Sequence, residues 1–508
     1  MGKSPDKPKP DLDMESRMAA RHFLAELERH TKRFQPSHFA PAVVRIMKSY
    51  HDSGQYPHAP QFQVGLMIEA NGAFSRRESN DTLDRRRYAQ MKNTFLLDEN
   101  PAQVELLQRD FGSFMLIMHR QQMELQRGFS KTALSRYWRL FAKDDAVPPL
   151  SAEYLSKYGL TVQEWLKACF AIFAAALNSK DGRIVLVAPP PPEQRLAIRW
   201  EAILLCAEHS SLTPSEIGLR FKNLHQSTQP KFHHCIRSVF VEHPLIRFGE
   251  GRFVAPFPAL IFHRAGNGIY RLGQNCPSFA QEFGGTLQRY VDLIGSELPQ
   301  GTIALRSDVM EKVCPGKSCD LLIEFPDHLL LVESKPASFT REIICPDTIP
   351  DDNSTRKCVR GLVQLYETAY EVKNGTFSRY GVLSGKPIYG IVTTFEDIPF
   401  VNASWYFDRY LLPEAQKKLP AEVLASNAMS EKPTVLGMEA FELLAITMRA
   451  RGKSFVDLRR EKEETGYAMT GDWDAHLLNL LRNADKKGEE LPHVELDCIE
   501  FQESVAPK

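Results

Sequence analysis

The sequence predicts a mixed α/β protein: a core domain with a mixed central sheet flanked by helices, preceded by a large all-α module and followed by a helical C-terminal region. Three observations predict this class. Residues 17–195 carry helical patterning, residues 276–412 alternate between helical and extended patterns, and residues 413–508 are again mostly helical up to a polar tail. Alternating helical and extended segments are typical of a sheet covered by helices.

The N-terminal part of the chain divides into a tail and the helical module. Residues 1–16 are dominated by proline and charge, so we expect a disordered tail there. Within the module, Thr161 and Glu164 have capping-box spacing and open an apolar helix. Consecutive prolines at 189–192 cannot join a helix interior, and they indicate that the module ends at about residue 195.

Residues 196–275 are expected to form a winged-helix-like linker region. Thr213 and Glu216 form a second capping box, with proline at the first helical position. Two extended runs, at 245–247 and 252–254, flank a glycine-rich turn and predict a hairpin. Helices followed by a hairpin are typical of winged helices that contact DNA, and a solvated basic face is the commoner alternative.

The core domain at 276–412 is predicted to contain six elements. In chain order they are a helix at 278–293, strands at 302–305, 319–325 and 329–335, a helix at 355–372 and a strand at 388–394. Only Pro326 and Asp327 separate the second strand from the third, and both strands are apolar and β-prone. This pattern predicts an antiparallel hairpin.

The two-residue loop of this hairpin sets its register. If Phe325 faces His328, counting outward along both strands brings Asp320 opposite Glu333. Side chains that face each other across an antiparallel pair have Cβ atoms about 4.5–5.5 Å apart. Because side chains alternate along a strand, Lys335 lies on the same face as Glu333. Two carboxylates and an amine are therefore expected to converge at one end of an apolar hairpin.

Such a group of charges needs compensation. A carboxylate left alone among apolar residues costs several kcal/mol, so Asp320 and Glu333 require a cation. Mg²⁺ binds one or two carboxylates, keeps several waters and completes its shell with phosphate oxygens. Lys335 could then orient a water or stabilise a transition state. The alternative is a buried ion pair between Lys335 and either acid.

Asp320, followed about a dozen residues later by Glu333, Ser334 and Lys335, resembles the active-site signature of the PD-(D/E)XK nuclease superfamily. The order of elements is also similar to that family's core, over residues 276–400. The resemblance implies a restriction-endonuclease-like fold. It also implies hydrolysis of phosphodiester bonds, usually in DNA, with Mg²⁺ or Mn²⁺ bound by the two acids and water assisted by the lysine.

Two helices add residues to the expected site. Gln288 lies in a helix frame where many family members carry Glu, so the resemblance implies a carbonyl oxygen that supports the metal without a charge. Gln364 resembles a glutamine that borders the active site in several branches of the superfamily. Lys357 and Arg360 share its helix face and suit contacts with the phosphate backbone. A solvated basic face is the alternative for these two.

A second Glu-x-Lys sequence provides an internal comparison. Glu371, Val372 and Lys373 have the same form but lie at the end of a predicted helix, without a strand Asp upstream. We assign these three residues no catalytic role. Asp320, Glu333 and Lys335 differ from them, because they are expected on neighbouring strands with their side chains on the same face.

Composition limits the partners and the compartment. Sixty-three Lys and Arg balance sixty-three Asp and Glu, so nucleic acid can bind only through local patches. The longest near-continuous apolar run, at 168–177, is about half of the roughly 20 residues needed to cross a bilayer. Nine scattered cysteines without a Cys-x-x-Cys pair fit a reducing compartment. We expect a cytoplasmic protein with no membrane partner.

The expected function is a metal-dependent endonuclease that acts on DNA more readily than on RNA. By resemblance, nucleases fused to helical modules are often triggered effectors of anti-phage defence, with a protein trigger recognised by the module. Two cuts on a duplex would be natural for a homodimer. The alternative is a catalytically inactive nuclease-fold scaffold or nucleic-acid-binding protein, which Gln288 favours and the intact set of Asp320, Glu333 and Lys335 opposes.

Overall fold

The computed structural model describes most of the chain. The described residues are 12–52, 61–75, 81–97, 112, 128–143, 148–191, 196–227, 238–276, 278–316, 318–338, 349, 351–398, 400–465, 467, 471–483 and 490–506. They form a mixed α/β structure with helical regions and two small mixed sheets, as the sequence predicts at that level.

The chain forms two compact units. The first contains the described residues of 1–129 and 164–269, and the second contains those of 130–163 and 270–506. Residues 130–163 were expected in the N-terminal helical module, but the structure groups them with the second unit. Phe141 shows the physical reason, since its ring stacks on Phe283 at 5.5 Å and meets Phe395 edge-on at 5.9 Å. An apolar helix face does not reveal in the sequence which core it will join.

Helices make up most of the first unit. They are Leu12–Thr31, Pro36–Asp52, Gln61–Phe74, Arg85–Leu97, most of Val162–Asn178, Trp200–His209, Pro214–Ser227 and Pro258–His263, with a 3₁₀ turn at Val239–Val241 and a π-helical turn at Arg264–Gly268. The first helix begins inside the expected tail of residues 1–16, because the proline-rich segment ends at Pro10. Residues 1–11 of that tail lie outside the described residues.

A four-stranded sheet completes the first unit. Its strands are β1 (Arg183–Val185), β2 (Ser211–Leu212), β3 (Leu245–Gly249) and β4 (Arg252–Val254), in the order β1-β4-β3-β2. The antiparallel pairing of β3 with β4 confirms the predicted hairpin. Strand β1 corrects the expectation of an all-α module. Its three residues are too short for a period-of-two pattern, and its pairing with β4 supplies the signal that the sequence lacks.

The second unit contains a five-stranded mixed sheet. Its strands are β5 (Thr302–Arg306), β6 (Leu321–Glu324), β7 (Leu329–Lys335), β8 (Ile388–Thr394) and β9 (Thr434–Gly437), and they lie side by side in that order. Strands β5, β6 and β7 form an antiparallel meander, whereas β8 and β9 run parallel to β7. The four strands predicted for residues 276–412 are therefore present, and β7 and β8 have the predicted bounds.

The second unit also contains the two predicted core helices, Phe279–Glu297 and Asn353–Lys373, which we call the first and second core helix. Its other helices are Lys131–Phe141, Pro148–Tyr158, most of Ile269–Gly273, Ser307–Val313, Ser404–Tyr406, Leu412–Gln416, Ala421–Ala425, Met438–Arg451, Phe455–Glu463, Trp473–Asn483 and Pro492–Val505, with a 3₁₀ turn at Ser378–Tyr380 and a π-helical turn at Phe407–Leu411.

Helices on both faces of the sheet explain why β7 is apolar from Leu329 to Val332. Leu329, Leu330, Leu331 and Val332 are completely buried, as expected for a central strand with parallel pairing on one side. The second core helix approaches β8 closely at Gly361, where an added Cβ would lie 2.9 Å from a methyl carbon of Val392. The close approach holds the helix directly over the strand that neighbours β7.

Strand β9 corrects the expectation of a helical region at 413–508. It is four residues long and follows Pro433, so it shows neither length nor alternation in the sequence. Its strand conformation depends on parallel pairing with β8, which is a tertiary effect.

Among the described residues, no single helix is both long enough and apolar enough to cross a bilayer. One bent pair of helices, 152–158 and 162–178, reaches that length and apolar character only when the two are taken together.

Candidate active site

The hairpin of β6 and β7 has the predicted register. Leu321 pairs with Val332 and Glu324 pairs with Leu329. The amide nitrogen of Phe325 donates to the carbonyl oxygen of His328 at 2.9 Å, which closes the two-residue loop. One step beyond the last pair of β6, Asp320 lies opposite Glu333, as the sequence predicts.

Asp320 is held against β7 by a single serine. Its Oδ2 accepts hydrogen bonds from the backbone nitrogen of Ser334 at 2.7 Å and from Ser334 Oγ at 2.6 Å. Burial raises the pKa of Asp320, while the two bonds from Ser334 and the positive charge of Lys335 act in the opposite direction. The carboxylate is therefore fixed in place before any ligand arrives.

Glu333 lies on the central strand and is 1% exposed. Burial and the negative charge of Asp320 together raise its pKa to about 8, against the opposing effects of Lys335 and of a backbone hydrogen bond from Asp320. Its Oε1 accepts a hydrogen bond from Lys335 Nζ. Its Oε2 is buried and has no hydrogen-bond partner among the described residues. A buried carboxyl oxygen without a partner is costly unless a cation or donor reaches it.

Lys335 connects the strand to the second core helix. Its amine donates to Glu333 Oε1 and, at 2.6 Å, to Gln364 Oε1. Gln364 Nε2 in turn donates to the carbonyl oxygen of Ser318 at 3.1 Å. The ion pair that is the alternative explanation of these charges is thus present. It occupies one oxygen of Glu333. Among the described residues, the second oxygen of Glu333 and both oxygens of Asp320 have no positively charged partner in direct contact.

Gln288 lies on the first core helix, and its side-chain amide donates to Ser307 Oγ. One turn further along, Asp292 was missed in the sequence. Burial raises the pKa of Asp292 to about 6, with Arg306 opposing and Asp320 adding to the increase. Asp292 Oδ1 is buried without a hydrogen-bond partner among the described residues. The available signal was its four-residue spacing from Gln288, which places both on one helix face.

The two basic residues of the second core helix differ in exposure. Lys357 Nζ donates to the carbonyl oxygen of Pro336, the residue that follows β7, and burial lowers its pKa. Arg360 is exposed. Both lie on the helix that carries Gln364, so positive charge borders the end of β7 where the acids meet.

The oxygen donors of Asp320 and Glu333 suit a hard divalent cation. The buried, unpartnered Glu333 Oε2 is the observation in favour of such an ion. Within the described ranges, no group of three or more His, Cys, Asp or Glu side chains is arranged to hold a metal. The two acids therefore fit an ion that keeps several waters, as Mg²⁺ does, rather than a cage built only from protein ligands.

Comparison with protein-family models, with curated proteins and with solved structures finds no match for this chain. Its function must be inferred from these residues themselves.

Proposed function

We propose that this chain is a divalent-metal-dependent endonuclease of the PD-(D/E)XK type that hydrolyses phosphodiester bonds, in DNA more readily than in RNA. The observation that carries the proposal is Glu333 Oε2, a buried carboxyl oxygen with no partner among the described residues, on a residue whose pKa is raised to about 8 beside a second acid. Strongly perturbed pairs of acids cluster at functional sites.

The order of elements supports the same proposal. A core helix precedes β5, an antiparallel meander leads to β7, and a second core helix connects β7 to the parallel strand β8. This order is similar to a restriction-endonuclease-like core. Asp320 immediately precedes β6, and Glu333 and Lys335 lie at the end of β7, which supports the same proposal.

In the proposed mechanism, Asp320 and Glu333 would hold Mg²⁺ or Mn²⁺, and Glu333 would offer its Oε2, which has no hydrogen-bond partner among the described residues. An ion held there would supply a more acidic water and stabilise negative charge on the phosphate. Gln364 keeps its contact with the amine, so Lys335 stays beside the site and can donate to the attacking water or to a phosphate oxygen.

Three further residues have supporting roles in the proposal. Lys357 and Arg360 border the end of β7 and would contact the phosphate backbone on either side of the cut. Gln288 uses its amide nitrogen for Ser307, which leaves its carbonyl oxygen to support the metal through a water. These contacts orient the substrate and do not take part in bond breaking.

A cleavage assay tests the proposal. Purified protein incubated with supercoiled plasmid and Mg²⁺ or Mn²⁺ should nick or cut it, and Lys335→Ala should abolish the cleavage. Lys373→Ala is the matched control, because Lys373 ends the second Glu-x-Lys sequence and donates to the carbonyl oxygen of Ser426 on the surface. If the wild type cuts neither DNA nor RNA and binds no divalent ion in calorimetry, the proposal is wrong.

The second candidate is a nuclease-fold scaffold or nucleic-acid-binding protein without turnover. The contact between Lys335 and Glu333 favours it, because an ion pair neutralises part of the site without a metal. The two candidates differ in metal binding: the enzyme requires an ion between Asp320 and Glu333, and the scaffold keeps the ion pair.

A role in anti-phage defence is proposed by analogy alone. In that role the helical first unit would respond to a protein trigger, and a homodimer would cut both strands. Cleavage measured with and without phage lysate, and the mass of the active species by light scattering, would test the two parts separately.

A further inference from the structure

The second unit contains a cavity of about 250 Å³ that none of the proposed catalytic residues lines. Its wall comes from three places: the segment 402–408, the beginning of β9, and the helix Phe455–Glu463 together with Trp473. No residue of the acid site contributes to it, so its chemistry is separate from that of β7.

One wall residue is a buried amine. Lys462 is 6% exposed, and its Nζ donates to the carbonyl oxygen of Tyr467 at 3.2 Å. The same atom lies 5.4 Å from the centre of the Trp473 ring. Within the described part of the chain, Lys462 makes no ion pair. Burial lowers its pKa to about 8, although the negative charges of Asp472 and Glu463 act in the opposite direction.

The other two cations in the wall have carboxylate partners. Arg459 Nε lies 2.7 Å from Glu431 Oε2, and Lys432 Nζ lies 2.6 Å from Asp408 Oδ1. Lys462 has a carbonyl oxygen and an aromatic ring in their place. An ammonium carries three donors, so Lys462 retains capacity for an anionic partner in the cavity.

The rest of the wall is part apolar and part polar, and its two acids, Asp408 and Glu463, are paired with Lys432 and Arg459. Trp473, Phe407 and Pro433 line it, and the Trp473 ring is held by stacking on Phe455 at 5.9 Å with 19° between the planes. Hydroxyl groups from Ser404 and Thr434 add hydrogen-bonding capacity at the edge. The rings of Trp473 and Phe407 offer apolar faces against which a ring-containing ligand can pack.

The volume limits what fits. A cavity of about 150 Å³ is enough for a benzene ring. The 250 Å³ here therefore accommodate one such ring and one further group of the size of a carboxylate or phosphate.

We propose that this cavity binds a small ligand made of a single aromatic ring bearing one anionic group, with Lys462 as the partner of the anion and Trp473 beside the ring. The proposal does not depend on nuclease activity, because it concerns residues outside the acid site and is tested without nucleic acid.

The test is calorimetric titration of the full chain with phenyl phosphate in buffer containing EDTA, so that no cation at the acid site attracts the anion. Phenyl phosphate should bind with a Kd of about 1 mM or lower. Inorganic phosphate and benzyl alcohol should each bind about tenfold more weakly, since each lacks one of the two groups.

Two variants locate the binding. Lys462→Met keeps the aliphatic stem and removes the charge. It should weaken the binding of phenyl phosphate about tenfold or more. Ser404→Tyr places a bulky ring at the exposed edge and should block entry if the methionine variant does not fold. Lys417→Met is the control, because Lys417 is exposed and paired with Glu414 outside the cavity.

Several results would overturn the proposal. Absence of binding by the wild type up to about 10 mM phenyl phosphate rules out the site at any useful affinity. Equal affinity in the wild type, Lys462→Met and Ser404→Tyr places the ligand elsewhere. If inorganic phosphate binds as tightly as phenyl phosphate, the ring does not contribute to binding.

Discussion

Replacing Glu333 by glutamine should stabilise the metal-free protein, and the gain should grow with pH. Glu333 is buried, and its pKa is raised from 4.5 to about 8. Between these two pH values the folded protein holds a proton on Glu333 that the unfolded chain has released, so stability falls as pH rises. Glutamine has the shape of the protonated acid and does not titrate.

The magnitude follows from the shift. For each pH unit above 4.5, the free energy of unfolding of the wild type falls by about 1.4 kcal/mol, until the pH approaches 8. At pH 7 the free energy of unfolding of Glu333→Gln should therefore exceed that of the wild type by about 3 kcal/mol. At pH 4.5 and below, the two proteins should differ little from this cause.

Urea denaturation of the second unit at pH 4.5 and pH 7, in EDTA, measures the effect as a difference between variant and wild type, so that other titrating groups cancel. Glu414→Gln, on an exposed side chain, should show no such pH dependence. At pH 7, Mg²⁺ should stabilise only the wild type, so that the wild type becomes more stable than Glu333→Gln. A Glu333→Gln variant that is equally or less stable at pH 7, with no pH-dependent gain, would refute the raised pKa of Glu333.

Three further predictions concern the site and its support. Ser334→Ala removes the hydroxyl that holds Asp320 and should weaken Mn²⁺ binding in calorimetry about tenfold, since one charged hydrogen bond is worth about 1.5 kcal/mol; unchanged affinity would contradict this positioning role. Gln364→Leu removes one partner of the Lys335 amine and should lower the cleavage rate, while the Mn²⁺ affinity stays within about twofold of the wild type. Equal losses of cleavage rate and Mn²⁺ affinity would contradict a role for Gln364 in positioning the amine. Phe141→Ala should lower the free energy of unfolding of the second unit by about 3–5 kcal/mol in urea, and a change below about 1 kcal/mol would show that residues 130–163 do not belong to that core.

The hairpin could be predicted from the sequence because its information is local. Two residues separate the strands, and a loop of fixed length sets the register of every pair beyond it. That is why Asp320 lies opposite Glu333, and why Lys335 shares its face. Strands β7 and β8 were also predictable, since long apolar runs bounded by turn residues are typical of covered central strands.

Other parts of the structure depend on tertiary packing. The four-residue spacing puts Asp292 on the helix face of Gln288, but its approach to Asp320 depends on how the first core helix is rotated over the sheet. Strand β9 and the assignment of residues 130–163 to the second unit depend on which neighbours they meet. The cavity beside Lys462 combines separate segments between residues 402 and 473, so no motif marks it.

The most direct test of the central claim is a crystal of the protein soaked in Mn²⁺ and measured for anomalous scattering. We expect an anomalous peak between the carboxylates of Asp320 and Glu333, with Lys335 still bonded to Gln364. A map without a peak there at saturating Mn²⁺ would contradict the proposed metal site.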